Sequence, residues 1–249
     1  MRVTVCVKRV PSTAVRIRIA ADGRSIDESG VEFVLNPYDE FAIEEALRIA
    51  ERSSGEVTVV SHGPDAVTRE LRNCLAMGAH QAVHLPAEPG FRDALSTAKV
   101  LAAAIPATKP DLLLFGRQAV DGDHAQVGLM VATLLGWPAA QDVVKVEVGA
   151  DRVKAWREVE GAVETHELPL PCVLAANKGL NEPRLPNMKG IMAARKKTIA
   201  SQAAAPAAAT LALESLELPP ERGGGRIVGE GAAAVPALVK LLREEAHAL

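Results

Sequence analysis

EVTVVSHGPDAVTRELRNCLAMGAHQAVHL, residues 56–85, decides the fold. Glu56 to Ser61 is a β-branched run and reads as a strand. Gly63-Pro64 then opens a helix, because proline carries the φ that a first helical turn needs. The helix ends at Ala76-Met77-Gly78-Ala79, where Gly78 can take the left-handed cap. Gln81 to Leu85 is a second strand. Strand, helix and strand in this order pair in parallel.

The same alternation extends in both directions. Arg2 to Val7 reads as a buried strand. Val15 to Ile19 and Val31 to Leu35 read as a hairpin with a turn at Asp22-Gly23. Asn36 suits an N-cap and Pro37 a first helical position, and that helix carries Phe41, Ile43, Ala46, Leu47 and Ala50. Downstream, Leu95 to Ile105 is helical, Asp111 to Phe115 is a strand and His124 to Leu135 is a helix. The strands around Val5, Val59, Val83 and Leu113 are continuous apolar runs, as burial on both faces requires. The expected fold is α/β, a doubly wound, mostly parallel sheet. From Val143 to Ala176 short strands follow one another without helices, with a hairpin tip at residues 147–152. This predicts an antiparallel addition to the sheet edge. Ala203 to Ala209 and Gly223-Gly224-Gly225 read as linkers, and Val235 to Ala246 as a terminal amphipathic helix. The expected division is a domain over 1–200 and, over 201–249, a linker and arm whose helix packs on a partner subunit.

Composition bounds the function. Of 249 residues 48% are apolar, enough for a substantial core, but only 3% are aromatic, so Val, Leu, Ile and Ala must build it. A net charge of −3 gives no support for nucleic-acid binding. Cys6, Cys74 and Cys172 are far apart, without C-x-x-C, which argues against a zinc site or a disulfide framework. The six histidines are scattered. No leader and no apolar run of spanning length is apparent, so the expectation is a cytoplasmic protein without direct membrane insertion.

In an open parallel sheet, ligands bind at the carboxyl ends of strands. The loops there begin at Lys8, Asn36, His62 and Gly116. The last is the richest, Gly116 to Gly128. Asp123 and Gln126 have capping-box spacing, which would start a helix at His124 and leave first-turn amides for a phosphate. Asp121 would hold the loop or face a ribose hydroxyl. No P-loop and no G-x-G-x-x-G opening the first helix is present. No catalytic constellation stands out: His124 beside Asp123 has no nucleophile with it, and Cys6 in a buried strand would be inert.

One further segment stands apart, LNEPRLPNMKGIMAARKK at 180–197. Arg184, Lys189, Arg195, Lys196 and Lys197 are cationic, and no acid lies between Pro183 and Lys197. Leu185, Met188, Ile191 and Met192 lie among them. This mixture suits a docking segment, in which charge steers and an apolar side chain anchors. The plain alternative is a surface helix with a basic face. Glu158, Glu160 and Glu164 read as solvated strand residues, with Glu164 placed to reach a neighbouring chain.

Taken in order, VCVKRVP (5–11), NPYDEFAIEEALR (36–48), LAMGA (75–79), FGRQAVDGDHAQVG (115–128) and LNEPR…GIMAARKK (180–197) make the chain resemble the β subunit of the electron-transfer flavoproteins over essentially residues 1–200. The resemblance implies an adenine-nucleotide-binding fold and an electron-carrier subunit with no active site of its own. It implies a heterodimer with an α subunit that holds most of the FAD, and a structural AMP in this chain. Electrons would come from acyl-CoA or other flavin dehydrogenases and pass to a membrane quinone oxidoreductase. By resemblance, the nucleotide pocket falls on Cys6, Asn36, Pro37, Tyr38, Asp39, His62, Asp121, Gly122, Asp123, His124, Ala125, Gln126, Val127, Gly128, Leu129, Met130, Val131 and Ala132. Partner docking falls on Arg184, Leu185, Met188, Lys189, Ile191, Arg195, Lys196 and Lys197, with Met188 as anchor. Glu164 takes the place of a glutamate that steadies the mobile flavin domain. Electron-bifurcating members carry D-G-D-T-A-Q-V-G and a second FAD in place of AMP; here His124 stands for that Thr.

Two other classes share the α/β pattern. An adenylating ATP pyrophosphatase needs an S-G-G-x-D-S-type loop after its first strand, which Lys8-Arg9-Val10-Pro11-Ser12 does not supply. A stand-alone nucleotide-binding stress protein would be shorter and lack the basic segment and arm.

Overall fold

A computed structural model describes residues 1–220 and 224–249, so Gly223 of the expected glycine linker lies outside the described residues. The chain divides into two compact units, Met1–Leu216 and Glu217–Leu249.

The first unit is the expected doubly wound fold. Its elements are β1 (Arg2–Cys6), β2 (Arg9–Pro11), β3 (Phe33–Leu35), α1 (Pro37–Ser53), β4 (Glu56–Gly63), α2 (Thr68–Met77), β5 (Gln81–Pro86), α3 (Ala94–Ala104), β6 (Leu112–Gly116), α4 (Val127–Leu135), β7 (Ala139–Val148), β8 (Arg152–Val159), β9 (Ala162–Pro169), β10 (Cys172–Ala176), α5 (Met188–Lys196) and β11 (Ile199–Ser201). Among the described residues the main sheet has nine strands in the order β11-β5-β4-β1-β6-β10-β7-β8-β9. The strands from β11 to β7 pair in parallel, and β7, β8 and β9 form an antiparallel meander. The antiparallel addition thus lies at the edge, as its helix-free sequence implies. Cys172–Ala176, however, returns to the interior and lies parallel between β6 and β7. Its fully buried run CVLAA is what a strand covered on both faces requires.

Side chains alternate across the sheet and feed two cores. Leu112 and Leu114 join the cluster containing residues of α1, α2 and α5, while Leu113 and Phe115 join the cluster under α3 and α4. Gly78 ends α2 with φ +132°, a conformation that favours glycine.

Three sequence expectations are corrected. The turn at Asp22-Gly23 forms, with Gly23 at φ +65° and the Asp22 carboxylate accepting the amides of Arg24 and Ser25. Only the single bridge Ile19–Ile26 follows from it, and the strand partner of Phe33–Leu35 is Arg9–Pro11 instead of Val15–Ile19. Asp27 accepts from the Ser29 amide and hydroxyl, and such local bonds compete with a strand ladder. The Asp123/Gln126 capping box does not form: α4 begins at Val127, and Asp123 and Ala125 are left-handed at φ 51° and 52°. Gln118 Nε2 takes the Asp123 carboxylate at 2.7 Å, removing the would-be cap. The stretch read as a linker at Ala203–Ala209 lies along the first unit, where Ala204 and Ala207 pack against the α3–α4 core. Thr210 then bonds to the Asp93 carboxylate through both its amide and its hydroxyl.

The second unit carries α6 (Val235–Glu244), a helix with Pro236 in its first turn and an Arg226–Glu245 pair at 3.0 Å. No helix among the described residues is long and apolar enough to cross a membrane.

Candidate functional site

The carboxyl ends of the parallel strands β1, β4 and β6 lie together at one end of the sheet, the crevice position of an open parallel sheet, and the first turn of α1 is bonded to the exits of β1 and β6. Asn36 occupies the N-cap position but makes no cap bond. Its Nδ2 donates to Asp39 Oδ1 at 2.9 Å and to the Gln118 carbonyl at 2.8 Å, while its Oδ1 accepts the Val120 amide at 3.1 Å. Asp39 also accepts the Lys8 amide at 2.7 Å and the Gly116 amide at 3.2 Å. Burial pushes the Asp39 carboxyl up to about 7, against the pull of those three donors. Pro37 and Tyr38 complete this first turn. Sequence alone marked Asn36 as a helix cap; its side-chain partners are Asp39 in the first turn of α1 and two loop atoms far along the chain.

Cys6 is buried, and burial together with Asp39 raises its thiol above the ordinary value, which leaves it neutral and unreactive. His62 at the end of β4 is half-buried, its Nδ1 3.0 Å from the Leu85 carbonyl, so that nitrogen carries the proton. Burial holds the ring below its ordinary value.

The loop between β6 and α4 runs from Arg117 to Gln126. Lys8 Nζ reaches both carboxylate oxygens of Asp121, at 2.6 and 2.7 Å, a tie that the sequence reading missed although it marked both loops. Gln141 Nε2 donates to the Ala125 carbonyl at 3.2 Å. After this loop α4 starts abruptly. Its N-cap, Gln126, makes no side-chain bond, so the first-turn amides of Val127, Gly128 and Leu129 are left for an external acceptor. Gly128 lets the helix start lie close to Phe115, whose Cγ would be 3.2 Å from an added Cβ. Of the remaining expected pocket residues, Gly122, Asp123 and His124 lie on the exposed loop, Met130 packs at the edge of the α3–α4 core, and Val131 and Ala132 are buried within that core. A helix start with uncapped amides, fed by a left-handed loop, is a donor set for phosphate. Among the described residues no cluster of three or more His, Cys, Asp or Glu could hold a metal.

The basic segment is a helix pinned at both ends. Asn187 caps α5, accepting the Gly190 amide at 2.8 Å. At the other end Arg72 Nη1 donates to the carbonyls of Ala194 and Lys197. The approach to α5 is clamped by Arg184, whose guanidinium bonds to Glu44 at 2.7 Å and Glu51 at 2.5 Å on α1. Hydrogen bonds from Arg184 hold the Glu51 carboxyl below its ordinary value; at Glu44 burial opposes ionisation, but Arg184 and Arg48 outweigh it. Arg184 therefore serves the fold, and so does Lys197, whose Nζ bonds to the Ala79 carbonyl at 2.6 Å. Ile191 packs against the core beside buried Ala194. What points outward is Leu185 at 89% exposure, Met188 at 73% and Met192 at 62%, among Lys189, Arg195 and Lys196. Glu164 lies on the edge strand β9, paired with Arg157 at 2.8 Å and near His166 at 3.2 Å.

A doubly wound, mostly parallel sheet with polar loops gathered at its strand ends defines an α/β protein of the open-sheet class. The pattern described as "Electron transfer flavoprotein domain" matches residues 24–207. The chain is 38% identical to the electron transfer flavoprotein subunit beta of Bradyrhizobium diazoefficiens over 250 residues, covering all of both chains. It is 39% identical to the human subunit beta over 233 residues, 90% of this chain and 91% of that one. It is 38% identical to the mitochondrial subunit beta of Arabidopsis thaliana over 254 residues, 99% of each. The chain belongs to the electron transfer flavoprotein family, on its β-subunit side.

Proposed function

We propose that this chain is the small subunit of a heterodimeric electron-transfer flavoprotein, a carrier with no active site of its own, that binds AMP structurally and docks flavin dehydrogenases. FAD, held mainly by the α subunit, supplies the redox chemistry when bound. AMP fits the donor set of the crevice: its phosphate would meet the first-turn amides of α4, which begins at Val127, three residues beyond the His124 start that a capping box would give. Its ribose and base would lie toward the strand ends near His62. The D-G-D-x-A-Q-V-G spacing supports a second reading, an electron-bifurcating subunit with a second FAD in that place.

The observation that carries the carrier reading is α5. Large apolar side chains on a rigid, clamped helix cost exposure unless something covers them. Here Met188 and Met192 stand out from the surface while Asn187, Arg72 and Arg184 hold their backbone. We place the dehydrogenase there, with Met188 entering an apolar pocket and Lys189, Arg195 and Lys196 steering the approach. Electrons would leave toward a membrane quinone oxidoreductase.

Burying a Met contributes roughly 1.5–3 kcal/mol. Met188→Ala in a flavin-loaded heterodimer is therefore expected to weaken dehydrogenase affinity about tenfold or more, with FAD content and reduction by dithionite unchanged. A fall in FAD content at constant affinity would make Met188 a subunit-interface residue instead.

Glu164 is proposed to exchange its Arg157 partner for a cation on the α flavin domain and so bias that domain's orientation. An exposed pair is worth only about 0–1 kcal/mol. Glu164→Ala should leave the melting temperature almost unmoved and change the electron-transfer rate and its salt dependence. Rates identical to wild type across a salt series would reduce Glu164 to a solvated strand position.

A further inference from the structure

We infer that Asn36 and Asp39 are positioning residues: their side chains form an internal latch that sets the path of the loop from Gly116 to Gln126 and do not touch the nucleotide. The inference rests on the proposed nucleotide reading of the crevice and changes what two of its expected contact residues do.

Bonding capacity carries the argument. A carboxamide has two N–H donors, and Asn36 spends both, one on Asp39 and one on the Gln118 carbonyl. Its oxygen takes the Val120 amide. Asp39 receives Asn36 and Gly116 on one oxygen and Lys8 on the other. Asn36 is 1% exposed and Asp39 5%, so neither offers a free polar atom or surface to a ligand. The bonds join three segments distant in sequence: the exit of β1 at Lys8, the start of α1, and the exit of β6 at Gly116 through Val120. Residues 119–123 then turn on the Ala119 carbonyl, which accepts the amides of Gly122 and Asp123. The latch fixes one end of this loop, and the loop delivers the open amides of α4 at its other end. The contact surface of the crevice is thus mostly backbone, aimed by two side chains beneath it.

The test uses the heterodimer formed with its α subunit. Asn36→Ala removes all three bonds. Asn36→Ser is the milder variant, since a serine at this position keeps a polar side chain able to cap α1 but cannot bridge to both Gln118 and Val120. Added AMP is titrated against nucleotide-stripped protein, and amide exchange is followed at Val120, Gly122 and Asp123. The expected result is at least tenfold weaker AMP binding and at least tenfold faster exchange at those three amides. Exchange in β1, β4 and the body of α1 should be unchanged, as should FAD content. Uniformly faster exchange throughout the unit would mean a general structural role and overturn the inference. Weaker AMP binding with unchanged loop exchange would overturn it too, since Asn36 would then contact the nucleotide directly. If the wild-type crevice binds no AMP, the nucleotide reading fails separately. The exchange pattern of Asn36→Ser then still decides the latch, with selective loop exchange supporting it and wild-type exchange refuting it.

Discussion

Gly116→Ala is expected to destabilise the first unit more than any conservative change elsewhere in the crevice. A Cβ on Gly116 would lie 2.3 Å from Asp39 Oδ1, 2.6 Å from the Tyr38 carbonyl carbon and 2.7 Å from the Asp39 amide nitrogen. Two of these atoms are backbone in the first turn of α1, so no rotamer change relieves the contact. Either β6 shifts or α1 moves away from it, and Asp39 loses its bond to the Gly116 amide. Overpacking of this kind costs about 1–3 kcal/mol, occasionally more, and the expectation is the upper end. At roughly 2–4 °C per kcal/mol for a unit of this size, thermal unfolding should show a fall of roughly 6–12 °C. Nucleotide retention should fall with it, because the strand exit and the helix start move together. A melting temperature within a degree of wild type would show that the two elements do not meet as described.

Gly190→Ala should have the second largest effect, and a different signature. Gly190 lies in the first turn of α5, and an added Cβ would stand 2.3 Å from the carbonyl oxygen of Ala76 in the last turn of α2. The helix would have to lift from α2, loosening Ile191 and Ala194 in their core. The cost again falls at about 1–3 kcal/mol, but the crevice lies elsewhere in the unit. Dehydrogenase affinity should therefore drop by an order of magnitude or more, since Met188 and Met192 ride on the displaced helix, while FAD and AMP content stay at wild-type levels. A variant with normal affinity and lost nucleotide would reverse the two assignments.

The parallel core was legible because its strands and helices differ in period and in composition. Val57, Val59 and Val60 against the α2 pattern leave little choice, and Gly78 stops that helix for a reason visible in the sequence. Cys172–Ala176 was misplaced because a buried strand states its burial but not its neighbours; its partner strands β6 and β7 are set by topology. The crevice was legible as a set of loops and illegible as a network. Asn36 and Asp123 both have good capping chemistry, yet each is claimed by a partner that the fold brings near: Gln118 and Val120 for Asn36, and Gln118 Nε2 for Asp123. Likewise the cations of 184–197 looked equivalent in sequence. The structure divides them, giving Arg184 to Glu44 and Glu51, Lys197 to the Ala79 carbonyl, and the others to the surface. Local spacing ranks what a residue can do, and only tertiary neighbours decide which capacity is used.

That the chain is an AMP-binding carrier subunit is tested most directly by counting its nucleotides. The chain, purified as a heterodimer with its α subunit, is denatured and its released nucleotides are quantified by absorbance and chromatography. One FAD and one AMP per heterodimer is the predicted result. Two FAD and no AMP, or a single FAD with no second adenine nucleotide, would contradict it.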